Sequence, residues 1–279
     1  MIFEIVKPRF EVLVPSSNKE GAWNVREYFD GLVNLIELAG RNCYKTENRI
    51  SDTNSEVRDK FIKGIINRGH LSVIEHASVT ARFVGSRSMS HQLVRHRLAA
   101  ISQESQRYCN YSKEKFGDAI QVIRPLTIVD PSIERDEQGW DGKKAQGLAW
   151  SQAMHKAIES YEYLTKWSEN VPPEDARSVL PNACKTEVVM TMNMRTWRHF
   201  FNMRCDKHAQ WEIRALACGL LVSFKELIPV IFDDFDLEGW KQGWVAYPED
   251  NWTNMDYTQG EIMATSVDAI PYLVERRPD

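Results

Sequence analysis

Residues 95–108 of this 279-residue chain read RHRLAAISQESQRY. No other stretch says as much about the fold of the protein and the kind of ligand it binds. Arg95, His96 and Arg97 are adjacent, with apolar residues directly before them and the apolar run 98–101 after them. A solvated surface is the usual explanation for clustered charges, but basic residues between apolar runs fit it poorly. On a helix, successive side chains point about 100° apart, so Arg95 and Arg97 would face nearly opposite ways. We therefore expect them to serve two ligands, or one ligand and the protein.

Two arginine-rich segments dominate the charge pattern. Residues 82–107 contain five arginines and one acid, Glu104. Residues 195–214 contain four arginines and one lysine against two acids. Because the planar guanidinium matches the oxygens of phosphates and carboxylates, these segments indicate an anionic ligand.

The residues that follow the first cluster are rich in hydrogen-bonding groups. Segment 102–108 offers serine hydroxyls, glutamine amides and backbone amides, which bind phosphate or base edges without adding negative charge. Glu104 has two readings, a ligand contact or a salt-bridge partner for a nearby cation. Ser105 has no evident His–Asp partner that would activate it as a nucleophile, so we read it as a ligand-binding residue.

The net charge of -4 conceals an asymmetry between the body and the tail. Residues 232–279 carry 11 acids and 3 basic residues, a balance of -8, so residues 1–231 carry +4. A basic body indicates anionic small ligands or nucleic acid. The acidic tail is typical of a solvated extension. Hydrophobic residues at 43% and charged residues at 27% are ordinary for a globular protein.

Several classes of protein are excluded by what the chain lacks. The five cysteines are widely spaced and form no CxxC pair, which argues against a disulfide framework or a zinc ribbon. No histidine pair has the spacing of helical metal ligands, so we expect no metal site. The longest apolar run, of about ten residues, is too short to cross a membrane. We expect a soluble, cytoplasmic protein without a signal peptide.

The hydrophobic pattern mixes strands and helices without regular βαβ alternation, which favours an α+β fold. A strand or hairpin is predicted over residues 1–14. The further strands predicted are 76–84, 121–129 and 185–194, with a polar loop over 132–144. The predicted helices are 23–39, one capped by Asn54 and ended by Gly69, a short one capped by Ser88, 148–167, a short one from Glu174, 195–203 and 208–227.

Five sequence elements, occurring in order over residues 70–215, resemble the flavin-dependent thymidylate synthases. They are GH-x4-EH at 69–76, RHR-x7-S at 95–105, its continuation SQRY at 105–108, R-x-x-LP at 177–181, and NMR at 193–195 followed by NMR at 202–204 and HAQWE at 208–212. A lone RHR would be weak evidence, whereas five ordered elements make coincidence very improbable.

The resemblance implies an enzyme that methylates dUMP to dTMP. Methylenetetrahydrofolate would supply the carbon, and NADPH would supply the reducing electrons through FAD. The implied fold is a helix bundle with flanking antiparallel strands, assembled as a homotetramer whose active sites are shared between subunits. We expect a catalytic domain over residues 1–231 and an acidic C-terminal extension over 232–279, with no membrane and no nucleic acid polymer as partner.

The family pattern also implies site residues by position. Flavin would be bound by Ser72, Arg95, His96, Arg97, Gln103, Asn193, Met194, Arg195 and His199, with His70 and Glu75 nearby. The nucleotide would be bound by Gln92, Leu93, Val94, Arg95, Gln103, Glu104, Ser105, Gln106, Arg107, Arg177 and Arg204. Arg204 would be catalytic, because a guanidinium against the uracil stabilises negative charge developing on the pyrimidine.

Two other classes of function remain as alternatives. A nucleic-acid-binding protein would use the same arginines on a broad basic face with interleaved aromatic residues, but the acidic tail weighs against it. A nucleotide kinase is disfavoured because the chain lacks a P-loop.

Overall fold

The computed structural model describes residues 1–14, 25–50, 55–117, 119–128, 141–168, 171–236 and 263–266. By their internal contacts these residues form two compact units. The first unit comprises Met1–Pro8, Val84–His91 and Gln103–Val188, and the second comprises Arg9–Phe83, Gln92–Ser102 and Val189–Asp279.

The first unit is built around a two-stranded parallel sheet and one long helix. Strand β1 (Ile2–Ile5) pairs in parallel with β5 (Ala119–Val122), placing Ile2 opposite Ala119. Helix α4 (Asp141–Glu162) continues into a π-helical turn, Tyr163–Trp167, and α5 (Pro173–Ala176) follows. The core of this unit consists of Tyr111, Ile120, Val122, Met154, Ile158, Tyr161, Ala176 and Cys184.

Helices make up most of the second unit. They are α1 (Val25–Tyr44), α2 (Ser55–Asn67), α6 (Met194–Arg204), α7 (Trp211–Leu227) and α8 (Pro229–Phe232), with a 3₁₀ turn at Leu71–His76. Helix α7 is buried on nearly every face, in agreement with its apolar sequence. Gly69 ends the segment after α2 with a φ of +74°, a conformation that glycine adopts without strain.

A five-stranded sheet has the order β4-β6-β3-β2-β7. Its strands are β2 (Arg9–Leu13), β3 (Ser78–Ser86), β4 (Ala100–Gln103), β6 (Lys185–Asn193) and β7 (Met263–Ser266), and α3 (Arg87–Leu93) follows β3 directly. Strand β6 alternates half-buried and buried residues along its whole length. This period of two is the pattern expected of a strand with one face in the core.

An aromatic cluster forms the centre of the second unit. Trp197, Phe200 and Phe201 of α6 meet Phe224 of α7 and Phe232 of α8, with ring centroids 5.2–5.8 Å apart in mostly edge-to-face pairs. All five side chains are fully buried. Buried Phe and Trp contribute more apolar area than any other side chains, so this cluster fixes α6 against α7.

The mixed helix and strand composition is confirmed, but three local expectations are wrong. Residues 1–14 form two strands in different sheets rather than a hairpin, and Pro8, which has no N–H to donate to a ladder, lies between them. The short helix is capped by Ser86, whose Oγ accepts from the Met89 amide at 3.0 Å, and not by Ser88. Residues 95–97 follow this helix as a turn and loop, so the helical argument for opposite directions does not apply.

The remaining predicted elements agree in type, with shifted boundaries. The start of the first helix, the Asn54 cap and most of the 132–144 loop lie outside the described residues, although residues 141–144 are already helical. The strand predicted over 121–129 is the shorter β5. No helix in the described part of the chain is long and apolar enough to cross a membrane.

The first residues of the acidic tail are part of the second unit. Phe232 belongs to the aromatic cluster, and Asp234 accepts from the Arg198 guanidinium through Nη1 at 2.7 Å. The Lys225 ammonium donates to the carbonyls of Asp233 and Phe235 at 3.0 and 2.6 Å. Further on, β7 pairs antiparallel with β2. A cut after Ile231 would therefore remove a core side chain.

We predict that a chain ending at Ile231 unfolds at a markedly lower temperature than one ending at Asp236. The shorter chain loses the Phe232 ring, and truncating a buried Phe costs about 3–5 kcal/mol. Thermal denaturation followed by circular dichroism compares the two, with full-length Phe232→Ala as the control for the side chain alone. Equal midpoints for the two truncations would contradict this reading.

Candidate active site

The junction between β6 and α6 positions the first candidate residues. Asn193 is the N-cap of α6, and its Oδ1 accepts from the Thr196 amide at 2.9 Å. The Met194 amide donates to the Ala77 carbonyl at 3.0 Å, and its side chain is fully buried. The side chain of Met194 therefore packs in the core, and the amide nitrogen of Asn193 is available to a ligand.

Helix α6 presents Arg195 and His199 on one exposed face, one turn apart. Arg195 Nη1 pairs with Glu75 of the 3₁₀ turn at 2.6 Å. His70 stands at the start of that turn, where its Nδ1 lies 2.7 Å from the Tyr44 hydroxyl. The side chain of Ser72 is exposed on the same turn. This part of the second unit thus gathers most of the residues implied for the flavin.

The loop after α3 meets the C-terminal end of α6. Arg204 Nε donates to His96 Nε2 at 2.9 Å, and its terminal nitrogens approach the Gln92 carbonyl and side-chain oxygens at 3.2 and 3.4 Å. Arg95 and Arg97 are exposed on the same loop, whereas Leu93 is fully buried and Val94 is partly exposed. Three residues implied for substrate or flavin, Gln92, Arg95 and His96, therefore lie around the Arg204 guanidinium.

The electrostatics of this cluster are strongly positive. Burial lowers the pKa of Arg204, and the nearby Arg95 lowers it further. Burial, Arg204 and His199 lower the pKa of His96 to about 4, so the imidazole is neutral at physiological pH. Within the described residues, none of Arg95, Arg97 and Arg204 has a carboxylate partner. Cations held together without an acid fit an anionic ligand such as a phosphate-bearing cofactor or nucleotide.

In the first unit, the segment after β4 is attached to β6. Gln103 Nε2 donates to Ser90 Oγ at 2.8 Å and to Thr186 Oγ1 at 3.3 Å. The Glu104 amide donates to the Glu187 carbonyl at 2.8 Å, and Arg87 Nη1 donates to the Glu104 carbonyl at 3.3 Å. The Gln103 amide nitrogen is therefore used within the protein, which leaves its oxygen for a ligand.

The carboxylate of Glu104 is engaged by protein groups. Its Oε1 accepts from the Tyr111 hydroxyl at 2.8 Å, and its Oε2 lies 3.2 Å from the Lys185 ammonium. A cavity of about 280 Å³ lies beside these three residues, lined further by Phe116 and Cys184. Of the two readings of Glu104, the structure favours the salt-bridge partner, although with a lysine rather than an arginine.

The other first-unit candidates surround Glu174. Arg107 Nε pairs with the Glu174 carboxylate at 2.6 Å, and Arg177 Nε donates to the Glu174 carbonyl at 3.0 Å. Ser105 Oγ accepts from the Arg107 amide at 3.2 Å, while Gln106 is buried. Arg107 and Arg177 are both exposed, so their remaining donors can reach an anion.

Comparison with known proteins identifies the family. The model of a family described as thymidylate synthase complementing protein matches residues 24–230. A flavin-dependent thymidylate synthase of Geobacter sulfurreducens is 41% identical over 71% of this chain and 80% of its own length. One from Clostridium tetani is 37% identical over 74% of this chain and 83% of its own. This chain belongs to the thymidylate synthase complementing protein family.

The fold agrees with that of a solved structure. A UMP/dUMP methylase, PolB from Streptomyces cacaoi, bound with 5-Br dUMP, superposes with a TM-score of 0.62 at 21% identity and covers 83% of this chain and 96% of its own. All the candidate site residues lie within the region that the thymidylate synthase complementing family matches, and the acidic tail from residue 232 onward lies outside it.

Several neighbours of the site carry no signal in the sequence. Tyr111, Lys185 and Glu174 hold the candidate residues of this family member in place. Two of these contacts are ion pairs between distant segments, Lys185 with Glu104 and, 67 residues apart, Glu174 with Arg107. Ion pairs between distant segments follow no local spacing, so only the fold identifies them.

We predict that Tyr111→Phe lowers the free energy of unfolding by about 1–3 kcal/mol, because it removes the donor to a carboxylate that is largely buried. Urea denaturation measures the difference. Tyr108→Phe is the matched control, since Tyr108 is 77% exposed and should change stability by less than about 0.5 kcal/mol. Equal effects of the two substitutions would show that the Tyr111–Glu104 hydrogen bond contributes nothing.

We also predict that His96 makes the protein less stable in mild acid. The pKa of folded His96, about 4, lies below the ordinary value of 6.5, so the unfolded chain takes up the proton first. The stabilisation is complete above pH 6.5 and is lost as the pH falls towards 4. At pH 5, which lies about 1.5 pH units below the unfolded pKa, wild type should lose about 2 kcal/mol more than His96→Gln, relative to pH 7.5. Urea denaturation of both proteins at both pH values measures the difference. An equal loss of stability in wild type and His96→Gln would contradict the prediction.

Proposed function

We propose that this chain is an FAD-dependent thymidylate synthase that reductively methylates dUMP to dTMP. Methylenetetrahydrofolate is the carbon donor and NADPH, through FAD, the reductant. The observation that carries the proposal lies in the second unit, where Arg95 is close to Arg204 and exposed Arg97 follows on the same loop. None of the three has a carboxylate partner among the described residues. Membership of the family and the names of its relatives support this activity.

The residues proposed for FAD are those of the second unit together with Gln103. Exposed Arg95, Arg97 and Arg195 supply donors for phosphate oxygens, and the Ser72 hydroxyl and His199 add neutral ones. Asn193 contributes its side-chain amide nitrogen, and Met194 contributes through the start of α6 that it anchors. When bound, FAD supplies the redox chemistry, so these residues bind and orient it.

The residues proposed for dUMP include the first-unit loop. Arg107 and Arg177 provide exposed guanidinium groups for the nucleotide phosphate, and Ser105 provides a hydroxyl. The backbone of Glu104 and Gln106 fits this role better than their side chains, because the carboxylate of Glu104 is paired and Gln106 is buried. From the second unit, Gln92 contacts Arg204 and Arg95 lies close to it, while Leu93 and Val94 lie between these two in the chain.

Arg204 is the residue that we assign to activation of the pyrimidine. Its guanidinium remains charged, because arginine retains its proton in proteins even when its pKa is lowered. Against the uracil it would stabilise negative charge on the ring and favour ionisation of the ring nitrogen. Arg204 is partly buried, and its interaction with a negative charge is stronger there than in water because the local dielectric is lower.

The proposal extends to assembly and location. We propose a homotetramer with active sites shared between subunits, acting in the cytoplasm on small molecules rather than on a nucleic acid polymer or a membrane. Three site residues, Arg97, Arg107 and Arg177, are exposed. Their N–H donors are therefore available to a ligand that is also bound by a neighbouring subunit.

We predict that Arg204→Ala lowers dTMP formation by at least about 100-fold while FAD remains bound, since one preorganised charge at the reacting centre contributes about 2.7–4 kcal/mol. Conversion of dUMP is measured with methylenetetrahydrofolate and NADPH, and bound FAD by visible absorbance. Arg204→Lys, which keeps the charge but not the planar fork, should be intermediate.

Wild-type protein is the reference for the whole proposal. Purified protein that takes up no FAD when FAD is added would contradict the flavoenzyme proposal. Tight, salt-sensitive binding of DNA without flavin would favour the nucleic-acid-binding alternative. Loss of FAD together with activity in Arg204→Ala would make Arg204 structural.

A further inference from the structure

His96 is buried against helix α6 and is not open to solvent as its neighbours Arg95 and Arg97 are. Only 7% of His96 is exposed. Its ring packs edge-to-face on Phe200 with centroids 5.0 Å apart, and Phe200 lies one helical turn before Arg204. The imidazole is therefore held against α6, in contact with Phe200 and bonded to Arg204 one turn later.

The single hydrogen bond recorded for the His96 ring in the described part of the chain defines its chemical state. Arg204 Nε always carries a proton and donates, so His96 Nε2 is the acceptor at 2.9 Å. The ring proton therefore resides on Nδ1. A protonated imidazole could not accept this bond and would repel the guanidinium, so the arrangement requires the neutral ring.

Gln92 completes the support of the same guanidinium. Its carbonyl and side-chain oxygens face the two terminal nitrogens of Arg204, at 3.2 and 3.4 Å. Together with His96 this engages three of the five N–H donors of Arg204. Two N–H groups have no partner among the described residues and are available to a ligand.

We propose that His96 is a positioning residue, a neutral acceptor that together with Gln92 orients the Arg204 guanidinium towards the pyrimidine. The inference rests on the proposed function and deepens it, because it names what keeps the activating arginine in place. A free arginine side chain samples many rotamers, and ordering it on binding weakens the complex. An arginine already bonded at Nε meets the substrate in one orientation.

The experiment is a double-mutant cycle read out on nucleotide binding. His96→Leu removes the acceptor, His96→Gln keeps an oxygen near the position of Nε2, and each is made with Arg204 and with Arg204→Gln. Equilibrium dialysis with dUMP on the FAD-loaded protein gives the dissociation constant. FAD occupancy is measured by visible absorbance, and kcat and KM for dUMP are measured wherever turnover persists.

With Arg204 present, His96→Leu should weaken dUMP binding to the FAD-loaded protein about tenfold, and His96→Gln should restore binding to within about threefold of wild type. In the Arg204→Gln background His96→Leu should change dUMP binding less than about twofold, because its effect passes through Arg204. His155→Leu, an exposed histidine on α4, is the matched control and should leave all readouts at wild-type values. If His96→Leu does not fold, His96→Asn replaces it, since the shorter side chain ends before the position of Nε2.

Two results would overturn the proposal. Unchanged dUMP binding in His96→Leu with Arg204 intact would show that the hydrogen bond from Arg204 to His96 does not orient the guanidinium. An equal loss of dUMP binding in both Arg204 backgrounds would show that His96 acts independently of Arg204. Failure of the proposed function gives a different result, a wild-type protein that binds neither FAD nor dUMP.

Discussion

The buried hydrogen bond from the Trp197 indole to the Val79 carbonyl is the interaction on which the second-unit site depends. The donor and acceptor atoms are 3.1 Å apart, and Trp197 is fully buried in the aromatic cluster. This bond attaches α6 to β3 while the rings attach it to α7 and α8. Asn193 at its start, His199 in its middle and Arg204 at its end therefore have fixed positions. An unmet indole N–H at this depth would cost the full desolvation of the group, so α6 has one favourable placement.

The second constraint is electrostatic. Arg204, at the end of α6, is partly buried and lies near Arg95. His96, which accepts its hydrogen bond, packs on the Phe200 ring. Like charges in such surroundings raise the free energy of the protein alone, and an anionic ligand relieves it. A neutral His96 is compatible with this cluster whereas a charged one would add to the repulsion. The stability of the free protein and its affinity for phosphate-bearing ligands are thus set by the same side chains.

The first-unit loop shows a different use of charge. Glu104 is the lone acid within the first arginine cluster, yet its partner is Lys185 on β6 rather than an arginine. This pairing, with the Tyr111 hydroxyl, attaches the loop to the sheet and keeps the carboxylate away from Arg107 and Arg177. Glu174, a residue outside the arginine clusters, instead neutralises Arg107. An incoming phosphate has to compete with that exposed ion pair, which is weak because water screens it.

The sequence alone determined the elements and the chemistry of this protein, because both are encoded locally. The strand Lys185–Asn193 and the apolar helix Trp211–Leu227 follow from periodicity, and the ordered motifs from residue 69 to 212 identify the family. Tertiary structure decided how the side chains of those motifs are used. It placed Met194 in the core and paired Glu104 with Lys185. It also placed the two strands of residues 1–14, β1 and β2, in different sheets. It also brought His96 to Arg204, 108 residues away. Contacts over such distances depend on which elements pack together, and that is decided by burying the apolar faces of the whole chain at once.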